Sequence, residues 1–174
     1  MVGAKAEYYK VLKLHPDNIE ARINLGNLLS QEGQDKAACA LYEEILKLQP
    51  ENPIAHYKLG RWLMVNDRPS EAISHFQTTL QQRPDMAEAH YELGHAFVRT
   101  GNNAAALDHF SQAVRLNPVL VDAHLNYGVA LAKAQRYAEA ADQFRETLRL
   151  RPNHPEAADM LEKAMRAMNR QAVP

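Results

Sequence analysis

The chain contains a single cysteine, Cys39, among its 174 residues, which excludes an intrachain disulfide. Its formal net charge is −1 with an isoelectric point near 6.7, so the excess of Lys and Arg typical of nucleic-acid-binding surfaces is missing. No apolar run approaches the length of a membrane-spanning helix, and the N-terminus lacks the apolar core of a signal peptide. These absences predict a protein with no nucleic-acid partner and no membrane span. They favour a cytoplasmic location, unless a targeting segment lies outside this stretch of sequence.

Motifs of catalysis and cofactor binding are also missing. The patterns HExxH, CxxC, GxSxG and GxGxxG do not occur, and neither does a phosphate-binding loop. We therefore predict that the chain is not an enzyme and holds no cofactor. Cys39 follows Ala38 and is interpreted as a small packed residue.

What the chain does contain is a strict repeat. Prolines recur 34 residues apart, and glycines, alanines and aromatic residues recur in the same register. The columns are Pro16, Pro50, Pro84, Pro118 and Pro152; Gly26, Gly60, Gly94 and Gly128; Ala38, Ala72, Ala106 and Ala140; and Tyr42, Phe76, Phe110 and Phe144. Apolar residues spaced three or four apart predict two amphipathic helices, A and B, in each repeat. Small residues let the two helices approach, the aromatic residue fills the space beside their crossing, and proline ends helix B.

These columns form a consensus of Leu-Gly-x-x-apolar, then Ala-x-x-x-aromatic, then Pro, which resembles the tetratricopeptide repeat (TPR). The first part reads Leu25-Gly26…Leu29 in one repeat and recurs as Leu59-Gly60, Leu93-Gly94 and Tyr127-Gly128. The first signature position departs from the family, which usually has Trp there, and holds Arg22, His56, His90 and His124. The resemblance implies an all-α fold, a right-handed α-solenoid of helix-turn-helix repeats.

The repeat register predicts one solenoid domain over residues 3–170. Four whole repeats occupy residues 19–52, 53–86, 87–120 and 121–154. Residues 3–18 match only the second half of a repeat. Helix A of that repeat is absent, so the array resembles one that is truncated at its N-terminal end. Residues 155–170 match only the first half, and their polar outer face predicts a capping helix. Gly33 and Gly101 mark the A–B turn in two repeats, where Asp67 and Gln135 stand in the others.

Histidine forms two columns that invite a metal hypothesis. His56, His90 and His124 lie one repeat apart, and packed helix axes are about 8–10 Å apart, which is too far for a shared zinc ion. We interpret these three as partly buried packing residues and predict no metal site. His75 and His109 form the second column, on helix B, and are interpreted as part of a solvated face.

In the TPR family, partners commonly bind a concave groove lined by A helices, and the resemblance implies which residues face it. The partner-binding candidates are Ile23, Asn24, Asn27, Tyr57, Lys58, Arg61, Tyr91, Glu92, His95, Leu125 and Asn126. Tyr57 and Tyr91 are the preferred anchors, because tyrosine combines a large contact area with a hydrogen-bonding tip. Acidic residues near the starts of the A helices suggest a partner with basic residues beside apolar ones, although they equally complement the helix dipole.

Some relatives grip a C-terminal carboxylate with Lys, Asn and Arg on consecutive A helices. This sequence does not reproduce that clamp. Ile23 and Glu88 occupy its Lys positions, Lys58 its second Asn position and Glu92 its Arg position.

The sequence therefore predicts a non-enzymatic protein-interaction scaffold that holds an extended or helical protein or peptide segment in the groove. One alternative is the targeting or substrate-recruiting arm of a larger enzyme such as a glycosyltransferase, which the missing first helix A suggests. Another alternative is self-assembly into a homo-oligomer through the solenoid ends. In that interpretation the first B helix exposes Tyr8 and Val11.

Overall fold

The computed structural model describes residues 2–171, with the side chains of residues 3–170. This part of the chain contains ten α-helices and no strand. The helices are α1 (Val2–Leu14), α2 (Ile19–Gln31), α3 (Asp35–Leu48), α4 (Pro53–Val65), α5 (Pro69–Gln82), α6 (Ala87–Arg99), α7 (Asn103–Leu116), α8 (Val121–Lys133), α9 (Tyr137–Leu150) and α10 (Pro155–Gln171). The predicted all-α architecture is confirmed.

Equivalent helices begin one repeat length apart. The A helices begin at Ile19, Pro53, Ala87 and Val121, each 34 residues after the one before. The B helices begin at Asp35, Pro69, Asn103 and Tyr137 with the same spacing. The sequence period is therefore also the structural period.

Short polar side chains begin several of these helices. The Asn18 side chain accepts a hydrogen bond from the Ala21 backbone N–H at 2.8 Å, and Asn52 accepts from Ile54 and Ala55 at 3.1 Å. Asparagine is a favoured residue at this position because it satisfies backbone donors that have no partner inside the helix. Pro53 then fits at the first helical position, where a missing N–H costs nothing.

The A–B turn has the same backbone conformation in all four repeats. Gly33 and Gly101 have φ angles of 75° and 82°, in the left-handed region that glycine adopts readily. Asp67 and Gln135 adopt the same region with φ angles of 58° and 61°. Two repeats therefore make this turn with a residue that carries a Cβ, at a conformational cost that glycine would avoid.

The chain divides into two compact units. Unit 1 ends at Pro84 and holds α1–α5 around a core of Leu25, Leu29, Ala38, Cys39, Tyr42, Ile45, Ala55 and Leu59. Unit 2 begins at Asp85 and holds α6–α10, with one core cluster around Phe144 and another around Phe110. The assignment of residues 3–170 to a single domain stays a prediction.

The terminal helices differ in what they expose. Tyr8 and Leu12 of α1 pack against the core of unit 1, and Val11 is partly buried, so the expectation that Tyr8 and Val11 are exposed is wrong. The large apolar residues that α1 exposes are instead Tyr9 and Leu14, at 52% and 75%. On α10, Ala157 and Ala164 are buried in unit 2, while the polar residues Asp159, Glu162, Lys163, Arg166, Asn169 and Arg170 are all exposed.

Candidate partner-binding faces

The candidate residues of unit 1 lie on two A helices and are called the unit 1 face. Helix α2 carries Ile23, Asn24 and Asn27, and α4 carries Tyr57, Lys58 and Arg61. Arg61 is exposed, whereas the other five side chains are partly buried. Ile23 packs against the hydrophobic core, so it contributes to stability as well as to this face.

The Tyr57 ring contacts one aromatic residue and one cation. Its ring centroid lies 6.1 Å from that of Phe76, with the ring planes tilted by 56°. The guanidinium carbon of Arg61 lies over the Tyr57 ring, 6.0 Å from the centroid, which is within the range of a cation–π interaction. These contacts fix the ring against the repeat and leave its orientation set before any partner arrives.

A small cavity of about 120 Å³ opens beside these residues, between α2, α3 and α4. Its lining includes Ser30, Asp35, Tyr42, Lys58, Arg61 and Trp62. Burial, and after it the positive charge of Arg61, lower the pKa of the Lys58 ammonium. Two cations beside one partly buried cavity would both be stabilised by an anionic group placed there.

Asn27 has a structural partner within the same face. The Tyr42 hydroxyl donates a hydrogen bond to the Asn27 side-chain oxygen at 3.1 Å. Burial raises the pKa of Tyr42 to about 12, with smaller contributions from Cys39 and Asp35. The phenol therefore stays protonated and available as a donor at neutral pH. Asn27 is thus held in place, and its amide nitrogen is directed by that bond.

The candidates of unit 2 are called the unit 2 face, and they lie on α6 and α8. Asn126 of α8 donates a hydrogen bond to the Tyr91 hydroxyl of α6 at 3.0 Å. The Tyr91 ring stacks on His95 at 6.4 Å with planes only 7° apart, and it also contacts Phe110 at 6.1 Å. Three of the five candidates, Tyr91, His95 and Asn126, therefore form one connected cluster.

Burial and nearby charges shift the pKa values of Tyr91 and His95 in this cluster. Burial, followed by the carboxylates of Asp122 and Glu92, raises the pKa of Tyr91, while the hydrogen bond from Asn126 acts in the opposite direction. Burial and the Arg99 charge lower the pKa of His95. Both side chains are therefore neutral at physiological pH, with carboxylates close to the tyrosine hydroxyl.

Leu125 has a different environment from the other candidates. It is 8% exposed and belongs to the core cluster that contains Leu131 and Phe144. This position argues that Leu125 mainly packs the repeat, and its role in binding stays a prediction.

Two features of the structure were missed by the sequence analysis. Trp62, the only tryptophan of the chain, lines the cavity of the unit 1 face although it was not among the candidates. Its position on helix A, directly after the candidate residue Arg61, is the sequence feature that could have identified it.

The second feature concerns the histidines of helix B. The interpretation of His75 and His109 as a solvated face is wrong, because both are partly buried and bonded to helix A.

Each of these histidines meets the histidine of helix A in its own repeat. The Nδ1 atoms of His56 and His75 are 2.9 Å apart, and those of His90 and His109 are 3.0 Å apart. In the last whole repeat, His124 instead meets the side-chain oxygen of Gln143 at 2.8 Å. The offset of 19 residues between the two partners is the same in all three cases.

Within the residues that the structure describes, no group of three or more His, Cys, Asp and Glu side chains could hold a metal ion. The helices between residues 2 and 171 also include none that is long and apolar enough to cross a membrane.

Comparison with known families gives the assignment. One tetratricopeptide repeat model matches residues 36–87, 57–118 and 91–155, and a second matches residues 1–61. The chain belongs to the tetratricopeptide repeat family. Its helices, the positive φ angle in each A–B turn and the close approach of each A-helix glycine to the aromatic ring of its own repeat are those of an all-α TPR solenoid fold. No curated protein sequence matches the chain significantly.

Solved TPR structures resemble this chain along most of its length. The crystal structure of YrrB, described as a TPR protein with an unusual peptide-binding site, has a TM-score of 0.77 at 25% identity, covering 93% of this chain and 92% of YrrB. The crystal structure of MamA has a TM-score of 0.78 at 24% identity, covering 87% and 82%. The first TPR of Spaghetti (RPAP3), bound to the HSP90 peptide SRMEEVD, has a TM-score of 0.65 at 24% identity, covering 67% and 93%.

Proposed function

We propose that this TPR protein is a non-enzymatic interaction scaffold that binds a protein or peptide segment on the A-helix faces of its repeats. The observation that carries the proposal is the setting of its two tyrosines. Tyr57 and Tyr91 are each partly buried, each contacts the aromatic residue of its repeat, and each has charged residues nearby. Rigid aromatic side chains with a polar tip are the residues that most often dominate binding energy at interfaces.

The chemistry of the unit 1 face favours an acidic group in the partner. Lys58 and Arg61 line the cavity together with Trp62 and one carboxylate, that of Asp35, which accepts a hydrogen bond from Ser30. The lowered pKa of Lys58 reflects burial and the repulsion from Arg61. A carboxylate from a partner would relieve that repulsion, and the tryptophan would cover an apolar side chain beside it.

The chemistry of the unit 2 face favours the opposite charge. The carboxylates of Asp122 and Glu92 raise the pKa of the Tyr91 hydroxyl after burial does. A basic or hydrogen-bond-donating group would be stabilised beside them. The basic partner suggested by the acidic residues of the sequence therefore fits unit 2, whereas unit 1 favours an acidic one.

The similarity to YrrB supports peptide binding as the general activity. YrrB is described as having a peptide-binding site and matches this chain over almost its whole length. The family and the fold are those of scaffolds that generally lack enzymatic activity, which is consistent with the absence of catalytic motifs from the sequence.

The test is a selection of displayed random peptides on the wild-type protein. Bound peptides are then measured against Tyr57→Ala, Tyr91→Ala and the double variant. We expect each single substitution to weaken binding of its own peptide class by at least about tenfold, the loss typical of an interface hot spot. Peptides that depend on Tyr57 should contain Asp or Glu, and those that depend on Tyr91 should contain Lys or Arg.

Tyr137→Ala is the matched control, because it removes the same, likewise partly buried side chain from a B helix, outside both faces. Far-UV circular dichroism checks that each variant keeps its helical content. If the selected peptides bound wild type and the double variant with equal affinity, Tyr57 and Tyr91 would not be binding anchors and the proposal would be wrong.

A second candidate function is self-association through α1. Its observation is the exposure of Tyr9 and Leu14, two large apolar residues on the same helix. Light scattering over a hundredfold concentration range tests it. A mass that rises with concentration in wild type, but not in Tyr9→Ser/Leu14→Ser, would support it, and a constant mass would exclude it.

A further inference from the structure

Two consecutive repeats join helix A to helix B through a pair of histidines. His56 of α4 faces His75 of α5 in unit 1, and His90 of α6 faces His109 of α7 in unit 2. The ring centroids are 5.0 and 5.2 Å apart. All four rings are partly buried. The Nδ1–Nδ1 separations of 2.9 and 3.0 Å require that one nitrogen donates and the other accepts.

The backbone fixes the proton positions in the pair of unit 1. His56 Nε2 lies 2.8 Å from the Pro50 carbonyl oxygen, which can only accept. Nε2 of His56 therefore carries a proton, and in the neutral ring Nδ1 is left as an acceptor. His75 must then donate from its own Nδ1. One added proton can enter at the free Nε2 of His75, whereas a second must enter at His56 Nδ1 and break the bond between the rings.

We propose that the two histidine pairs form a pH-sensitive switch, which joins helix A to helix B at neutral pH and loosens these two repeats at acidic pH. The two rings of a pair cannot both be cations while their Nδ1 atoms stay in hydrogen-bond contact, because both nitrogens would then be donors. A doubly protonated pair is compatible only with a separated arrangement of the two rings, which removes this contact between helix A and helix B. Protonation is therefore linked to opening.

Burial and the partner histidine act in this direction, whereas a nearby carboxylate acts against it. In unit 1, burial and then His56 lower the pKa of His75, and Glu71 on the same helix opposes them. Glu71 is engaged by Arg68 through two hydrogen bonds of 2.6 Å, and Glu43 of α3 lines the same pocket as His75. The pKa of His75 is lowered overall, so Glu71 weakens the effect of burial and of His56 without reversing it.

The pair of unit 2 has a similar setting. Burial and then His90 lower the pKa of His109, and Asp108 opposes them. Phe97 of α6 stacks on the His109 ring, with centroids 5.6 Å apart and planes 16° apart, which keeps the ring partly away from water. An unfolded histidine binds protons more readily than this one, so acidification lowers the stability of the hairpin.

The last whole repeat contains a natural counterpart without the second histidine. His124 meets Gln143 at 2.8 Å and the Pro118 carbonyl at 3.0 Å. An amide presents an oxygen in one orientation and an NH₂ group in the other, so rotation of Gln143 satisfies either protonation state of His124. The α8–α9 hairpin therefore serves as an internal reference that lacks the switch.

Amide hydrogen exchange of the full chain at pH 7.5 and pH 5.5 tests the proposal. Protection factors, corrected for the intrinsic effect of pH, are compared between α4–α5, α6–α7 and α8–α9. We expect protection of α4–α5 and α6–α7 to fall at least about tenfold more than that of α8–α9 at pH 5.5. His75→Gln should remove the extra loss from α4–α5 only, and His109→Gln from α6–α7 only.

The reverse variant Gln143→His builds a third pair and should make α8–α9 lose protection at pH 5.5 as the others do. Gln143→His tests the proposal even if His75→Gln or His109→Gln does not fold. Equal pH dependence of all three hairpins in wild type, or an unchanged pH dependence after Gln143→His, would overturn the switch. Histidines outside the exchanged positions are the same in wild type and in every variant, so the comparison between variants cancels their effects.

Such a switch would also regulate binding, a consequence that rests on the proposed function. His56 directly precedes Tyr57, and His90 directly precedes Tyr91. Loosening either hairpin would disturb the candidate anchor beside it. The exchange experiment uses no partner, so its outcome is independent of whether the tyrosines bind one. Peptides from the selection would then be expected to dissociate faster at pH 5.5 from wild type than from His75→Gln/His109→Gln.

Discussion

The Phe76 ring lies against the backbone of Gly60 so closely that a Cβ on residue 60 would stand 2.6 Å from Phe76 Cε1. Phe76 is fully buried and cannot move aside without disturbing its neighbours. We expect Gly60→Ala to lower the free energy of unfolding by up to about 2 kcal/mol. The overpacking of about 1–3 kcal/mol outweighs a helix-propensity gain of about 1 kcal/mol. Urea unfolding followed by circular dichroism measures the change.

Gly3→Ala is the control for this substitution. Gly3 is also helical, but nothing lies within 4 Å of a Cβ placed there. We expect it to leave stability unchanged or to raise it by up to about 1 kcal/mol. In a double-mutant cycle, Gly60→Ala should cost less stability in the Phe76→Leu background than in wild type, because the smaller side chain makes room for the added methyl group. Equal effects of Gly60→Ala and Gly3→Ala would contradict the crossing argument.

The A–B turn of the last whole repeat gives the opposite prediction for glycine. Gln135 has a φ angle of 61°, in the region where a Cβ costs about 1–2 kcal/mol. We expect Gln135→Gly to raise the free energy of unfolding by about 0.5–1 kcal/mol, after the greater flexibility of glycine in the unfolded chain is subtracted. The reciprocal change Gly101→Gln, at a φ angle of 82°, should lower it. Thermal unfolding of both variants distinguishes the outcomes, and effects of the same sign would refute the turn argument.

The repeat columns made the fold predictable from sequence. Each column answers one local steric requirement, such as a glycine where an aromatic ring presses on the backbone, and the requirement recurs at the same position in every repeat. Asp67 and Gln135 could be placed in the turn for the same reason, since they stand where Gly33 and Gly101 stand. Periodicity thus predicted the order of the helices, the repeat bounds and the residues that stand at each A–B turn.

The site was less predictable, because it depends on what differs between repeats. The cavity beside Lys58 depends on Trp62, and the hydrogen bond between Tyr91 and Asn126 joins two repeats. The contact between His56 and His75 depends on side-chain direction across a helix crossing, which spacing along one helix does not reveal. A residue type shared by all repeats predicts the fold. The binding chemistry of the site depends instead on residues that differ from one repeat to the next.

Cys39 is predicted to be unreactive in the folded protein. Burial, and then the charges of Glu43 and Asp35, raise the pKa of its thiol from 9.0 to about 11. The thiolate fraction at pH 8 is then about 100-fold lower than for an ordinary thiol. We expect folded protein to react with a disulfide reagent at least about 100-fold more slowly than protein in urea. As the only cysteine it needs no assignment, and similar rates in both conditions would show that the thiol is accessible.

The charge of Lys58 is predicted to depend on Arg61. Burial lowers the pKa of Lys58 first, and the positive charge of Arg61 lowers it further. Since the pKa is lower in the folded than in the unfolded protein, stability should rise as the pH increases through the interval between the two. We expect Arg61→Gln to raise the pKa of Lys58 and to reduce the increase of stability with pH, while the effect of burial remains.

Side-chain NMR titration measures the pKa, with Lys58→Met to assign the signal. A carboxylate peptide bound at the unit 1 face should raise the pKa in the same direction. A pKa that neither Arg61→Gln nor the peptide alters would show that the two cations do not share one site.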